Sequence, residues 1–365
     1  MQCLPQRPRA AAVTAAAALL ASGCASSSAT PTRLLVAVPD PAGLQLGAIE
    51  QSPSLRGLCA VSADVCWATG SGPTVALTTD GGASWRDVTP LSIQGEDPAL
   101  DVRDVHARDG AQAWVMCAGP GGASQILRTD DGGASWTVEH QETDPASFLD
   151  GFDMDPAGRA VAYGDPLADG RFRVLLRDPA TARWRVAPSA PAALPSGEAA
   201  FAASGTGIRL DGARAVFVTG ANDGTARAMV SEDRAESWSA APIPMPAPKP
   251  ASGAFSLALD GEGLGVAVGG DFTARERGGP WCAAFTEDGG ATWAAPTAGP
   301  RGQRAGSCAL GGGVFLATGQ TGTDISRDGG RTWEAFSGEG FHCVDRAADG
   351  SLWFAGHRGR VARLR

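Results

Sequence analysis

A single lysine, Lys249, stands against 29 arginines, and Tyr163 is the only tyrosine in 365 residues. No lysine or arginine run occurs, and the formal charge is −9. An acidic surface of this kind does not attract a phosphate backbone, so nucleic acid is not an expected partner. The eight cysteines include no CxxC pair with metal-ligand spacing, which disfavours zinc and leaves no expected metal. Also missing are a Gly-x-Ser-x-Gly elbow, a P-loop and a dinucleotide fingerprint on a strand–helix unit. Serine hydrolase, NTPase and nicotinamide readings therefore have no support, and no cofactor is expected. Beyond the first two dozen residues, no stretch has the pattern of a long amphipathic helix.

What is abundant is punctuation. Fifty glycines and 25 prolines break a sequence that is 43% hydrophobic, with turn signals about every 8 to 12 positions, the pattern of many short strands. One turn recurs with a tryptophan at its end. Thr78-Thr79-Asp80-Gly81-Gly82-Ala83-Ser84-Trp85 returns as 129–136, 286–293 and 326–333, carrying Asp131 and Trp136, Asp288 and Trp293, Asp328 and Trp333. A weaker copy, 231–238, keeps Asp233 and Trp238 but has Ala235 where the others have glycine. A sixth is reduced to Asp178 and Trp184. The tryptophans lie 51, 48, 54, 55 and 40 residues apart, a period that belongs to propeller blades.

Each part of the turn has a physical role. The carboxylate accepts from backbone N–H groups, glycine supplies the positive φ, and the Ser or Thr hydroxyl closes the turn again. The tryptophan opens the next strand and packs against a neighbouring sheet. The pattern Ser/Thr-x-Asp-x-Gly-x-x-Trp resembles the Asp-box, or bacterial neuraminidase repeat. Its aspartates are read as structural, not catalytic.

Residues 1–23 read as a secretory leader, with Arg7 and Arg9 before an apolar stretch, Ala10 to Leu20, that is short for a bilayer span. Ala21-Ser22-Gly23-Cys24 resembles a bacterial lipobox. Lipidation of Cys24 would anchor the chain in a membrane, with residues 24–32 as a small-residue tether; the alternative is an ordinary cleaved signal. The lipid-anchored reading places the chain in the cell envelope, and either way the expected location is outside the cytoplasm. Removing the leader takes away two arginines and no acid, leaving −11 on the mature chain. Export permits a disulfide between Cys59 and Cys66; buried free thiols are the reading for Cys117, Cys282, Cys308 and Cys343.

Residues 33–365 are expected to form one all-β domain, a seven-bladed β-propeller. Six units end in a tryptophan turn, while the tail from Phe341 to Arg365 has three strands and no tryptophan turn. Leu34 to Val38 or Leu44 to Ile49 is expected to complete that last blade, joining the termini and removing an open sheet edge. The proline-rich Pro242 to Pro250 is read as a stiff link between blades.

Strand order sorts the loops. Turns after the first and third strands share one face with the Asp-boxes; second-to-third loops and interblade links share the other. That second face receives the long insertions 164–171, 220–225 and 269–279 and the links 187–199 and 242–253, the expected place for function. Asp165, Glu198 and Asp271 fall there, as general acid and base, cation ligands or a docking rim; for Asp165 and Asp271, which sit in Gly-Asp turns, the alternative is a backbone cap without chemistry, an explanation that suits Glu198 less well. Arg173, Arg227 and Arg275 are candidate ion-pair partners. His106 and His342 are placed on inner strands; His140 and His357 lie elsewhere.

Residues 55–365 resemble the photosystem II assembly/stability factor-like propellers. Beyond the boxes, the likeness rests on Ala162-Tyr163-Gly164-Asp165-Pro166, on Gly197-Glu198-Ala199-Ala200-Phe201-Ala202-Ala203-Ser204-Gly205-Thr206 and on Val266-Ala267-Val268-Gly269-Gly270-Asp271-Phe272. The resemblance implies an extracytoplasmic propeller that holds partner proteins. A second class stays open, a glycoside hydrolase using Asp165, Glu198 or Asp271 on a glycan. Sialidase itself is disfavoured, because the Arg-Ile-Pro signature is absent and the lone tyrosine sits in the third blade.

Overall fold

The computed structural model describes residues 38–93, 100–221 and 224–365. The leader 1–23, Cys24 and the tether 24–32 lie outside them, as does nearly all of Leu34 to Val38. Among the described residues the only helical elements are three-residue 3-10 turns, and no helix is long and apolar enough to cross a membrane.

Seven antiparallel sheets succeed one another along the chain. Their inner strands are Leu55–Ala60, Asp101–Ala107, Leu149–Met154, Ile208–Asp211, Ser252–Leu259, Gly306–Gly311 and Cys343–Arg346. Each inner strand touches those of the blades before and after it, and the last touches the first. The ring is a seven-bladed β-propeller. It closes as expected: Gln45–Ala48 is the outermost strand of blade 7, pairing Gln45 with Arg363 and Ala48 with Arg360.

The core is divided among the seams. Seven buried apolar clusters occupy the seven blade–blade interfaces, such as Trp67, Val75 and Leu77 of blade 1 against Val102, Val105 and Val115 of blade 2. The Asp-boxes brace the corners above these seams. In the first, the Thr78 hydroxyl and the Ser84 N–H donate to Asp80 Oδ1 at 2.8 and 2.9 Å, and the Ser84 hydroxyl donates to Oδ2 at 2.5 Å. The same three bonds recur at Asp131, Asp233, Asp288 and Asp328. The Ser84 hydroxyl, then its N–H, hold the Asp80 carboxyl down at about 2. Trp85 meets Trp353 of blade 7 edge-on at 6.0 Å, and Trp136 meets Trp67 of blade 1 at 6.4 Å. In the weaker box Ala235 takes the left-handed conformation of the glycine it replaces, φ 68°.

Three local expectations change. Cys59 pairs across the hairpin with Trp67, and Cys66 with Ala60. The two thiols therefore face opposite sides of the sheet, one toward blade 2 and one toward blade 7, and no disulfide joins them; all six described cysteines are free. Most of the proline-rich segment is not a link but the outer strand of blade 4, Ser239–Pro246, because an edge strand tolerates residues without an N–H on its open side. In blade 5 the outer strand shrinks to one bridge, Phe285 with Ala294. Pro296 and Pro300 cannot donate to its continuation. The chain crosses instead to the next Asp-box, where the Trp333 N–H donates to the Ala298 carbonyl at 2.9 Å.

Candidate functional site

Inner strands begin on the long-loop face, and their first residues surround the axial mouth. Arg56, Arg103, Phe255 and Ala305 come from strand starts, Phe201 to Ala203 from the link into blade 4, and Phe272 and Arg275 from the long loop of blade 5. Gln303, Gln320 and His342 complete a pocket of about 240 Å³. Two of the three segments that carry the family resemblance contribute to it, through Phe201 and Phe272. No acidic side chain lines it among the described residues.

The three guanidiniums are not equivalent. Arg103 is committed: it donates to Asp101 at 2.6 and 2.8 Å and to the Ala202 carbonyl at 2.8 Å. Arg56 makes one long contact, 3.5 Å to the Ala203 carbonyl, and Arg275 has no side-chain partner among the described residues. Neither forms an ion pair there. Burial first, and then the neighbouring Arg103 guanidinium, disfavour the charge on Arg56. The mouth of an acidic protein thus carries three arginines, of which only Arg103 has a carboxylate partner among the described residues.

Its polar wall is held neutral. Burial, and next the Arg56 charge, push the His342 imidazole down to about 3. His342 Nδ1 faces the Leu55 carbonyl at 2.9 Å, and Nε2 faces Gln320 Nε2 at 2.9 Å. A neutral ring donating from Nδ1 and accepting at Nε2 satisfies both, and orients the Gln320 amide. The apolar wall is a chain of rings, Phe201 edge-on to Phe255 at 4.5 Å and Phe255 beside Phe272 at 6.3 Å. Phe272 is 45% exposed. Beneath the mouth, hydroxyls of Ser204, Thr206, Ser256 and Ser307 form a buried chain with links of 2.5 to 2.7 Å, tying the link into blade 4 to blades 5 and 6.

The acids named from the sequence lie on this face, each with partners. Glu198 is buried and forked by Arg227, with further bonds from the Thr219 hydroxyl at 2.5 Å and the Leu194 N–H at 2.9 Å. Asp271 takes Lys249 at 2.9 Å and the Thr273 hydroxyl at 2.5 Å; although burial opposes ionisation, these bring its carboxyl to about 2. Asp165 accepts from the Ala200 N–H at 3.0 Å, and burial pushes its carboxyl up. Of the candidate arginines, Arg173 pairs with Glu142 at 2.9 Å. His106 is on an inner strand as expected.

Sequence reasoning missed Asp150. It is buried beside Asp165 and Arg103, its Oδ2 has no partner, and burial and then the Asp165 charge raise its carboxyl well above the ordinary range. It also missed Arg56 and Arg103, although their alternation with apolar neighbours at strand starts was a usable signal. Among the described residues no group of three or more His, Cys, Asp or Glu is placed to hold a metal ion.

The fold and its repeated corners define the class: an Asp-box seven-bladed β-propeller. No family model and no curated protein matches the sequence. Solved structures do match in fold. A structure of YCF48 bound to a D1 peptide is 14% identical with a TM-score of 0.59, over 88% of this chain and 96% of that one. YCF48 from Cyanidioschyzon merolae is 13% identical with a TM-score of 0.62, over 88% and 99%. The U3-55K structure, at 11% identity, reaches 0.62 over 90% and 99%. At these identities the likeness is one of fold.

Proposed function

We propose that this propeller is a protein-binding scaffold of the cell envelope, tethered to a membrane by a lipid on Cys24 and receiving partners on its long-loop face. The observation that carries this reading is the axial mouth, where two guanidiniums without ion-pair partners among the described residues adjoin an exposed phenylalanine. Charged side chains left uncompensated beside apolar surface are what a partner interface uses. The fold likeness to a propeller solved with a bound peptide supports the same reading.

A glycoside hydrolase is the second reading, favoured by one observation: Asp150 and Asp165 are neighbouring carboxyls, both raised, beside the mouth. A carboxyl raised by burial has the character that a general acid uses. Chemical crosslinking in membranes separates the two. Wild type should capture a discrete protein that a chain with residues 272–279 shortened does not, and Cys24→Ser should release the propeller from the membrane fraction. Oligosaccharide cleavage by purified protein, lost on Asp150→Asn, with no captured partner, would reverse the order of the readings.

A further inference from the structure

We infer that the axial mouth is a binding site for an apolar or aromatic group bearing a carboxylate. Three independent features converge on this chemistry. The first is charge: among the described residues all the charged side chains lining the pocket are arginines, and only Arg103 has its carboxylate, Asp101. Arg56 and Arg275 keep donors free, and an arginine fork matches a carboxylate in geometry as well as in sign. The second is the ring wall of Phe201, Phe255 and Phe272, completed by Ala202 and Ala305. Such a wall takes an apolar body, which inorganic phosphate or sulfate lacks. The third is size: about 240 Å³ exceeds the ~150 Å³ cavity that admits a benzene ring, and leaves room for one ring and its acid group.

Neighbouring groups sharpen the selection. The neutral His342 fixes Gln320, and Gln303 lies on the same wall, so an amide is available to orient the ligand without adding charge. The Gln303 N–H also donates to the Arg275 carbonyl at 2.9 Å, holding the blade 5 loop against blade 6. The site is therefore preorganised on its blade 6 and 7 side and open at Phe272. The shared chemistry has two sources, a free amphipathic acid or the carboxyl end of a polypeptide. The inference deepens the scaffold reading if the source is a polypeptide.

Calorimetric titration of the full chain distinguishes these cases. The probes are N-acetylphenylalanine, its amide, and a hexapeptide ending in phenylalanine. The acid should bind at least ~10-fold more tightly than the amide, the worth of one charge-assisted contact. Arg275→Gln, at an exposed position that makes no side-chain bond among the described residues, should weaken the acid by about 10-fold. Phe272→Ala should weaken it roughly 5-fold by removing apolar contact. Tighter binding of the hexapeptide than of N-acetylphenylalanine assigns a chain terminus as ligand; equal binding assigns a free acid. Equal affinity for acid and amide, no binding of either acid probe at about 10 mM, or indifference to Arg275→Gln would overturn the inference. Where the hexapeptide binds more tightly, a membrane partner captured regardless of its carboxyl end would leave the scaffold reading standing while the chain-terminus assignment fell.

Discussion

Ionisable residues on the long-loop face divide by whether their bonds are complete. Glu198 has an arginine fork, a hydroxyl and a backbone donor, so its charge serves the link into blade 4. Asp150 is the opposite case, with one oxygen unpartnered in a buried site. Its folded-state carboxyl is raised, so the folded chain binds a proton that the unfolded chain has released. That contribution to stability is present at low pH and is lost as pH rises through the folded value. Asp150→Asn removes the titration. The thermal midpoint of the variant, minus that of wild type, should therefore become more positive between pH 5 and pH 8, each kcal/mol being worth about 2–4 °C in a large domain. A difference independent of pH would show that Asp150 is not held in this way. Sequence alone pointed to Asp165, Glu198 and Asp271 because carboxylates near glycine turns are visible in one dimension. Asp150 was not, since its character comes from burial and from Asp165 and Arg103, more than ten residues away.

Each blade corner combines a hydrogen-bonded loop with a steric fit, and the second half is easily overlooked. Gly133 in the second box has φ 83°, and a Cβ there would meet the Val88 Cβ of blade 1 at 2.4 Å. Gly133→Ala should thus cost roughly 2–4 kcal/mol, adding overpacking to the left-handed penalty. Urea unfolding checks this; a loss below ~1 kcal/mol would show that the corner yields. Ala235 occupies the corresponding place in the weaker box and is fully buried in the seam between blades 3 and 4, so that seam is built around its methyl group. The box spacing made the number of blades legible, because Asp, Gly and Trp act within one turn. The outer strands were less so. Pro242 reads as a breaker, yet it pairs with Arg227 on an edge that needs no donor. The strand after Trp293 reads as a pair for blade 5, yet its prolines send it to blade 6.

At the scale of the molecule, the ring gathers seven strand starts at one opening. Residues from position 56 to position 342 become neighbours there, which no local pattern reveals. An acidic chain has placed three arginines and three phenylalanines around that opening, and has put its Asp-boxes on the other face. Partner binding should accordingly be one-sided. The most direct measurement is site-specific photocrosslinking in intact cells, with benzoylphenylalanine placed either at Phe272 in the mouth or at Ala83 in the first Asp-box. The expected result is a discrete protein adduct from position 272 that disappears with Arg56→Gln and Arg275→Gln, and none from position 83. Adducts from position 83 alone, or equal adducts from both that ignore the arginines, would contradict it.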